Sequence, residues 1–342
     1  MKGSVIALDE IAGRKAAALI VDGKLDDFLI DPAGDAGPVP GAIFRAICDR
    51  PMKGQGGMFL RLPEGDKGFL RAAKGLAPGQ PLLVQTTGWS EEGKAPGVTH
   101  RVLFKSRFAI VTPEAPGINI SRSVKDEEVR VRLLEIAHEV MGDTEHGLIL
   151  RSQAAVGSDD EVADDIAAMR DLALAVMGDG EGAEAELLVD GPDAHDLAWR
   201  DWPRPEILDD RAGSFERHNV DDMIHAFSSP RAGLGSDGFA YIEQTRALVA
   251  VDVNTGGDNS PAAGLKANIA LAKDLPRQLR CRGLGGQITL DLAPMGKKDR
   301  RNFEQTLKSA FRRDPVETVL AGWTPLGHFE LQRKRDRLPV KL

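Results

Sequence analysis

Strand-length apolar runs open the chain. Ser4–Leu8 and Ala16–Val21 alternate or cluster β-forming residues, and Asp22-Gly23 signals a turn into Phe28-Leu29-Ile30. A Pro/Gly-rich linker covers Asp31–Gly41, after which short β-like runs recur closely from Ala42 to Val111. Met58-Phe59-Leu60-Arg61-Leu62, Gly68-Phe69-Leu70 and Pro81-Leu82-Leu83-Val84-Gln85 are the clearest of these, and their spacing predicts a small barrel. A second α+β unit follows. Phe108–Val111 reads as a strand, Glu127–Met141 as a helix, Leu148–Leu150 as a strand running into Arg151-Ser152, and Asp159–Val176 as a helix with an acidic first turn. Residues 178–215, acidic and rich in Gly, Pro and Trp, read as a loop-bearing connector.

The last third has the strongest periodicity. Ser236-Asp237-Gly238 opens a hairpin of Phe239–Glu243 and Ala247–Val253. Ser260-Pro261 starts a helix carrying Leu265, Ile269, Ala272 and Leu279, in which Pro276 predicts a kink. Gly285-Gly286 precedes a strand over Gln287–Leu292, and Lys298–Arg313 is a helix with Phe303, Leu307 and Phe311 on one face. The order is strand, helix, strand, helix.

Length and charge narrow the picture. A chain of 342 residues exceeds what one core usually serves, so several subdomains are expected. Cys48 and Cys281 form no CxxC pair, which excludes a disulfide framework or a cysteine zinc site and leaves two buried thiols. The acidic Asp9-Glu10 pair interrupts any signal-like N-terminus and no apolar run reaches membrane-spanning length, so no membrane partner and a cytoplasmic location are expected. The net charge of −8 argues against a polyanionic partner, but it is unevenly spread. Residues 158–222 hold 20 acidic and 5 basic side chains, and residues 260–313 hold 12 basic and 4 acidic ones. The second stretch is either a solvated cationic face or a surface that neutralises phosphate.

Two aspartates interrupt apolar strands at their C-terminal ends: Asp252 in Leu248–Asn254 and Asp291 in Ile288–Leu292. Neighbouring strands would bring both carboxylates to one edge, and Asn254, two residues beyond Asp252, would share its face. Such a hard-oxygen set suits Mg²⁺, with Mn²⁺ as an alternative. Strand-end aspartates also cap turns, and spacing alone leaves both readings open. The seven histidines lie near no nucleophile elbow, and Thr255-Gly256-Gly257-Asp258-Asn259 is either a phosphate-facing loop or a plain turn.

Three segments resemble the catalytic core of the ribonuclease E/G family: Val249–Gly256, Arg277-Gln278-Leu279-Arg280-Cys281-Arg282-Gly283-Leu284-Gly285-Gly286, and Ile288-Thr289-Leu290-Asp291. The resemblance implies that Asp252 and Asp291 coordinate Mg²⁺, that Asn254 supports the metal or its water, and that water is the nucleophile. It extends backward. Gly41-Ala42-Ile43-Phe44 and the runs around Phe59 and Phe69 resemble an S1-like OB fold in which those two rings stack on RNA bases; Lys94 matches a lysine that touches RNA. Gly147–Ser152 resembles a pocket for the RNA 5′ end, implying that Arg151 and Ser152 grip a terminal monophosphate while Arg122 orients it.

The implied architecture is multidomain α/β (α+β). It comprises a ribonuclease-H-like subdomain in two pieces (1–37 and 188–229), an inserted S1-like OB fold (38–106), a 5′-sensor (107–187) and a DNase I-like catalytic domain (230–342). The implied activity is Mg²⁺-dependent cleavage of single-stranded, AU-rich RNA for rRNA or mRNA processing or decay, leaving 5′-phosphate and 3′-hydroxyl ends. The sequence departs from the family in four ways. Larger members continue into a zinc link and small domain, so no zinc and a monomer or zinc-free dimer are expected here. Thr324-Pro325-Leu326-Gly327 stands where the family has Ser-Arg-Phe-Gly, and Pro276 and a shortened barrel also differ. The missing arginine keeps a non-catalytic or weakly catalytic AU-rich RNA-binding protein as the alternative, whereas the barrel and end-pocket matches disfavour a DNA nuclease.

Overall fold

A computed structural model describes residues 3–340 apart from Asp35, Lys53, Gln55, Glu92, Ser236 and Asn259. Ser236 and Asn259, which belong to two of the expected turns, therefore lie outside the described residues. The chain folds as two compact units, Met1–Ala33 with Pro205–Leu342, and Gly34–Arg204. It begins with an antiparallel meander of β1 (Ser4–Ile11), β2 (Arg14–Val21) and β3 (Lys24–Ile30).

The second unit starts with a five-stranded barrel: β4 (Ile43–Met52), β5 (Gly57–Arg61), β6 (Lys67–Leu70), β7 (Pro81–Thr86) and β8 (Gly97–Thr99). Pairing of β4 with both β5 and β7 closes the ring. Phe44, Ala46, Cys48, Met58, Leu60, Leu70, Val84 and Val98 fill it, as period-two alternation requires. A sheet of β9 (Phe104–Lys105), β10 (Ala109–Thr112), β11 (Ile118–Ile120) and β12 (Gly147–Leu150) follows, in the order β11-β12-β10-β9. Helices α1 (Glu127–Met141) and α2 (Asp159–Gly178) pack on it through Leu133, Ala137, Val162 and Ile166. Asp126 caps α1, and Ser158 with Glu161 forms a reciprocal capping box on α2.

The expected connector proves structured. It contributes β13 (Glu186–Val189), which adds to β4 beside the barrel, and α3 (Ala194–Asp201), capped reciprocally by Asp193 and Asp196. Residues 188–204 thus fold with unit Gly34–Arg204 rather than with the N-terminal piece. The eight-residue helix was hidden because α3 buries only Ala194 and Ala198, too few positions to mark a period.

The chain then returns to the first unit. β14 (Ile207–Asp209) runs parallel to β1, and α4 (Ser214–Arg217) and α5 (Val220–Ser228) cover the meander through Phe215, Val220 and Ile224. The final sheet contains β15 (Arg231–Gly233), β16 (Phe239–Gln244), β17 (Val249–Asn254), β18 (Gly286–Asp291), β19 (Thr318–Trp323) and β20 (Phe329–Arg333), in the order β15-β16-β17-β18-β20-β19. Helices α6 (Pro261–Arg282) and α7 (Lys297–Arg313) share one core with its inward positions.

Three expectations change here. α6 continues unbroken through the buried Pro276. Strands β19 and β20 had no sequence-level counterpart. The basic stretch is partly internal: Arg277 pairs with Asp274, Arg282 donates to the carbonyls of Phe227 and Ser229, and Arg280 reaches Asp26 and Asp314. Asp314 has no exposed side-chain surface and also pairs with Arg333, itself buried. Burial lowers the basicity of Arg280, but Asp27, Asp26 and Asp314 more than offset it and its pKa is raised. Asp314→Asn would leave two buried guanidinium groups undercompensated. We expect it to cost about 3–5 kcal/mol of stability, measured by urea denaturation of the first unit; a loss indistinguishable from zero would show the network to be dispensable.

Candidate metal centre and nucleic-acid interface

β17 and β18 are adjacent and parallel, with Asp252 directly beside Asp291 in register. Val249, Val251, Val253, Ile288 and Leu290 point into the core, so Asp252, Asn254 and Asp291 share the opposite, open face. Both carboxylates are exposed. The Asn254 side-chain amide donates to Asp252 Oδ2 at 2.9 Å, which holds that carboxylate and leaves the amide oxygen available. Asp252 pairs with no cation among the described residues. Also among them, no group of three or more His, Cys, Asp or Glu side chains could hold a metal. The donor set is therefore two carboxylates and an amide, which fits a hard divalent cation that keeps water and completes its shell with a substrate oxygen. It does not resemble a zinc cage.

His328 is a residue that sequence reasoning passed over. It follows the turn between β19 and β20, and its Nε2 lies 3.7 Å from Asp291 Oδ1. Without β20 in view, nothing in the sequence tied it to Asp291. Tyr241 lies across from Asp252 on β16, at a position the expected hairpin could have shown.

Phe59 and Phe69 are directly opposed on β5 and β6. Their ring centroids are 5.2 Å apart, both rings are half-buried, and they face away from the barrel core. Arg50 adds a guanidinium 5.3 Å from the Phe59 ring. An outward aromatic pair beside a cation is an arrangement on which flat rings can stack. Lys94 is exposed on a loop and pairs with Glu91, so its charge is partly satisfied internally.

Strands β11 and β12 run parallel, and Ser121 N–H donates to the Leu150 carbonyl at 2.8 Å. This places exposed Arg122 next in chain to Ser121 and exposed Ser152 two residues beyond Leu150, at neighbouring strand ends. Arg151 is more committed. It donates to the carbonyls of Ser106 and Arg200 at 2.6 and 3.0 Å and pairs with Asp201 at 2.8 Å. Nearby Arg107 stacks on Trp199 with 4.1 Å between guanidinium carbon and ring centroid. Burial lowers the Arg107 pKa, repulsion from Arg204 and Arg151 lowers it further, and Asp165 and Glu161 oppose the shift. Burial would raise the pKa of Asp201, but Arg200 and Arg151 hold it below the ordinary range.

A sequence model described as the Ribonuclease E/G family matches residues 104–209 and 203–336. Ribonuclease G of Salmonella typhimurium (strain SL1344) is 29% identical over 300 residues, covering 77% of this chain and 61% of that protein. Ribonuclease G of Escherichia coli (strain K12) gives the same figures. Ribonuclease E of Nostoc sp. (strain PCC 7120 / SAG 25.82 / UTEX 2576) is 26% identical over 301 residues, covering 76% of this chain and 44% of the relative. The fold is that of a mixed α/β protein with an OB-like five-stranded barrel and two strand-end carboxylates side by side in register. The chain belongs to the ribonuclease E/G family. It spans about three-fifths of the length of the ribonuclease G relatives.

A lowered carboxyl pKa in the folded state stabilises above the unfolded value, about 3.9 for Asp, and that contribution disappears as pH falls through the folded value. Asp201→Asn should therefore be less stable than wild type at pH 7, and the gap should narrow below about pH 4. Urea melts across pH 3–7 test this; a gap independent of pH would mean that the Asp201 charge is not what holds Arg151 and Arg200.

Proposed function

We propose that the chain is a divalent-metal-dependent endoribonuclease that cleaves single-stranded, AU-rich RNA and senses a 5′-monophosphate, for rRNA or mRNA processing or decay. The observation that carries this is the in-register pair Asp252 and Asp291 with Asn254 bonded to Asp252. Membership in the family supports it, as do the outward Phe59–Phe69 platform and the neighbouring ends bearing Arg122, Arg151 and Ser152.

The subdomain reading follows: β1–β3 with the segment after residue 204 as the ribonuclease-H-like part, the barrel as an S1-like OB fold, the β9–β12 sheet with α1 and α2 as a 5′-sensor, and β15–β20 with α6 and α7 as a DNase I-like nuclease. Asp252 and Asp291 would hold Mg²⁺ or Mn²⁺, which when bound lowers the pKa of water and offsets charge developing on the phosphate oxygens. Asn254 keeps the Asp252 carboxylate oriented. The Phe59 and Phe69 rings hold bases flat in any sequence, and Lys94 meets the backbone. Ser152 and Arg122 hold the terminal phosphate, with Arg151 turning toward it from Asp201 or adding positive field from where it stands. In every step outside the metal shell, the protein binds, aligns and excludes alternative strand positions.

The expected behaviour is cleavage of a labelled single-stranded RNA with Mg²⁺ and none with EDTA. Asp252→Asn should slow it about a hundredfold or more, the loss of several kcal/mol of charge stabilisation. If that variant cuts as fast as wild type, the metal assignment is wrong. Phe59→Ala or Phe69→Ala should weaken RNA binding by about 1–3 kcal/mol, roughly 5- to 150-fold in Kd, with little change in kcat. Ser152→Ala should erase any rate advantage of 5′-monophosphate over 5′-hydroxyl RNA; equal wild-type rates on the two ends would remove the sensing role. The exposed Pro325, in place of a family arginine, supports the second reading, a weakly catalytic or non-catalytic AU-rich RNA-binding protein. Tight RNA binding without Mg²⁺-dependent cleavage would select it.

A further inference from the structure

Between α7 and the edge strand β19 lies a cavity of about 500 Å³ that the site described above does not use. Phe311, Leu320, Trp323 and Phe329 form its apolar wall, and Lys308 and Arg312 line it from α7. The Trp323 indole N–H donates to Glu304, which fixes the plane of the ring, and Trp323 packs edge-on against Phe329, 5.3 Å between centroids. Arg300 stands 4.2 Å over the same indole. Its Nε is buried without a hydrogen-bond partner.

Residues 300, 304, 308 and 312 are spaced four apart and so form one ridge of α7. Its one acidic member, Glu304, is engaged by Trp323. Its three cations form no ion pair with any described residue. An aromatic-walled cavity of this size accepts a ligand the size of a nucleotide, since small-molecule sites run from about 300 Å³ upward. Unpaired guanidinium and ammonium groups strung along its lip match a ligand that is both planar and anionic. The ridge begins close to the metal centre: Arg300 Nη2 is 3.8 Å from where a Cβ on Gly327 would lie, and Gly327 precedes His328, which faces Asp291. From Arg300, over Trp323, the ridge runs on to Lys308 and Arg312, which line the cavity. Lys308 lies about 12 Å and Arg312 about 18 Å farther along the helix axis.

We propose that this cavity is a nucleotide subsite for the bound RNA strand outside the scissile bond, with a base against Trp323 and the flanking phosphates on Arg300, Lys308 and Arg312. The proposal rests on the ribonuclease reading and extends it to the helix side of the nuclease sheet. It also gives the chain an arginine near the cleavage site, although one supplied by α7 rather than by the turn at Pro325.

The test uses the full chain in EDTA, so that binding is read without cleavage. The probe is a single-stranded 20-nucleotide AU-rich RNA, titrated at several salt concentrations. Removing two phosphate contacts in Lys308→Ala/Arg312→Ala should weaken binding several-fold and make the plot of log K against log salt shallower by about 1.4, about 0.7 for each contact to a single strand. Lys266→Ala/Lys273→Ala on α6 removes the same charge away from the cavity and should leave the slope unchanged. With 5-fluorotryptophan incorporated, the ¹⁹F resonance of Trp323, identified by its loss in Trp323→Phe, should move on adding RNA to wild type and stay in place in the α7 double variant.

Equal slopes for the two double variants, or an unmoved Trp323 resonance, would overturn the subsite. Mg²⁺-dependent cleavage by wild type separates the two levels. Cleavage with no effect of the α7 substitutions removes this inference alone, whereas no RNA binding by wild type removes the functional reading as well.

Discussion

The first unit depends on a buried exchange of charge around Asp314. Its carboxylate, with no exposed side-chain surface, receives Arg280 from α6 and Arg333 from β20, and Arg280 continues to the backbone and side chain of Asp26 before β3 ends. Arg337 closes onto Asp27 from the chain's last described segment. Such a network is costly to assemble because each ion must leave water, and it is costly to break because removing one partner strands another. Its structural consequence is positional. It anchors α6 against the meander at one end and the α7–β20 region at the other, and α6 is the crossover that brings β17 and β18 side by side.

That crossover decides the chemistry. A shift of one residue between β17 and β18 would put either Asp252 or Asp291 into the core and expose an apolar neighbour. The large apolar set on the buried face, from Val249 to Leu290, resists that slip, so the register that fills the core also sets the two carboxylates together. The glycines after α6 serve the same end. Gly283 ends the helix at φ 66° with the Leu338 carbonyl against its α-carbon, where a Cβ would collide. The motif that marks the family is therefore largely a packing device. Its arginines hold the scaffold, and its glycines let the chain's last segment pass.

The two arginine-rich regions behave differently. In the first unit, Arg277, Arg280 and Arg282 find carboxylates or carbonyls within the fold, so they add little to the outward field. In the second, burial acts most strongly on Arg107, with Arg204 and Arg151 repelling it and Asp165 and Glu161 offsetting part of that, so its pKa is lowered. The cations of α7 fall between these cases, being on the surface and unpaired beside an aromatic wall.

What was legible in the sequence was local or strongly periodic. Helix Glu127–Met141 matches its expected limits, and α6 begins at the Ser260-Pro261 signal, because caps and amphipathic spacing act within a few residues. The barrel strands were also readable, as was the placement of Asp252 and Asp291 at strand ends, whereas the exposed role of Phe59 and Phe69 came only from the family resemblance. Short segments were not: β13 has four residues and α3 eight, too few to set a period against the acidic, Gly- and Pro-rich sequence around them. Proline chemistry predicted a kink at Pro276, where the helix runs on without a break. Partners distant in sequence stayed hidden altogether: His328 beside Asp291, Asp201 on Arg151, and Arg300 over Trp323. By itself the sequence determined which residues can coordinate, stack or carry charge. Only the tertiary structure decided which of those charges are spent inside the fold, because ion pairing depends on distances set by strands and helices that meet across hundreds of residues.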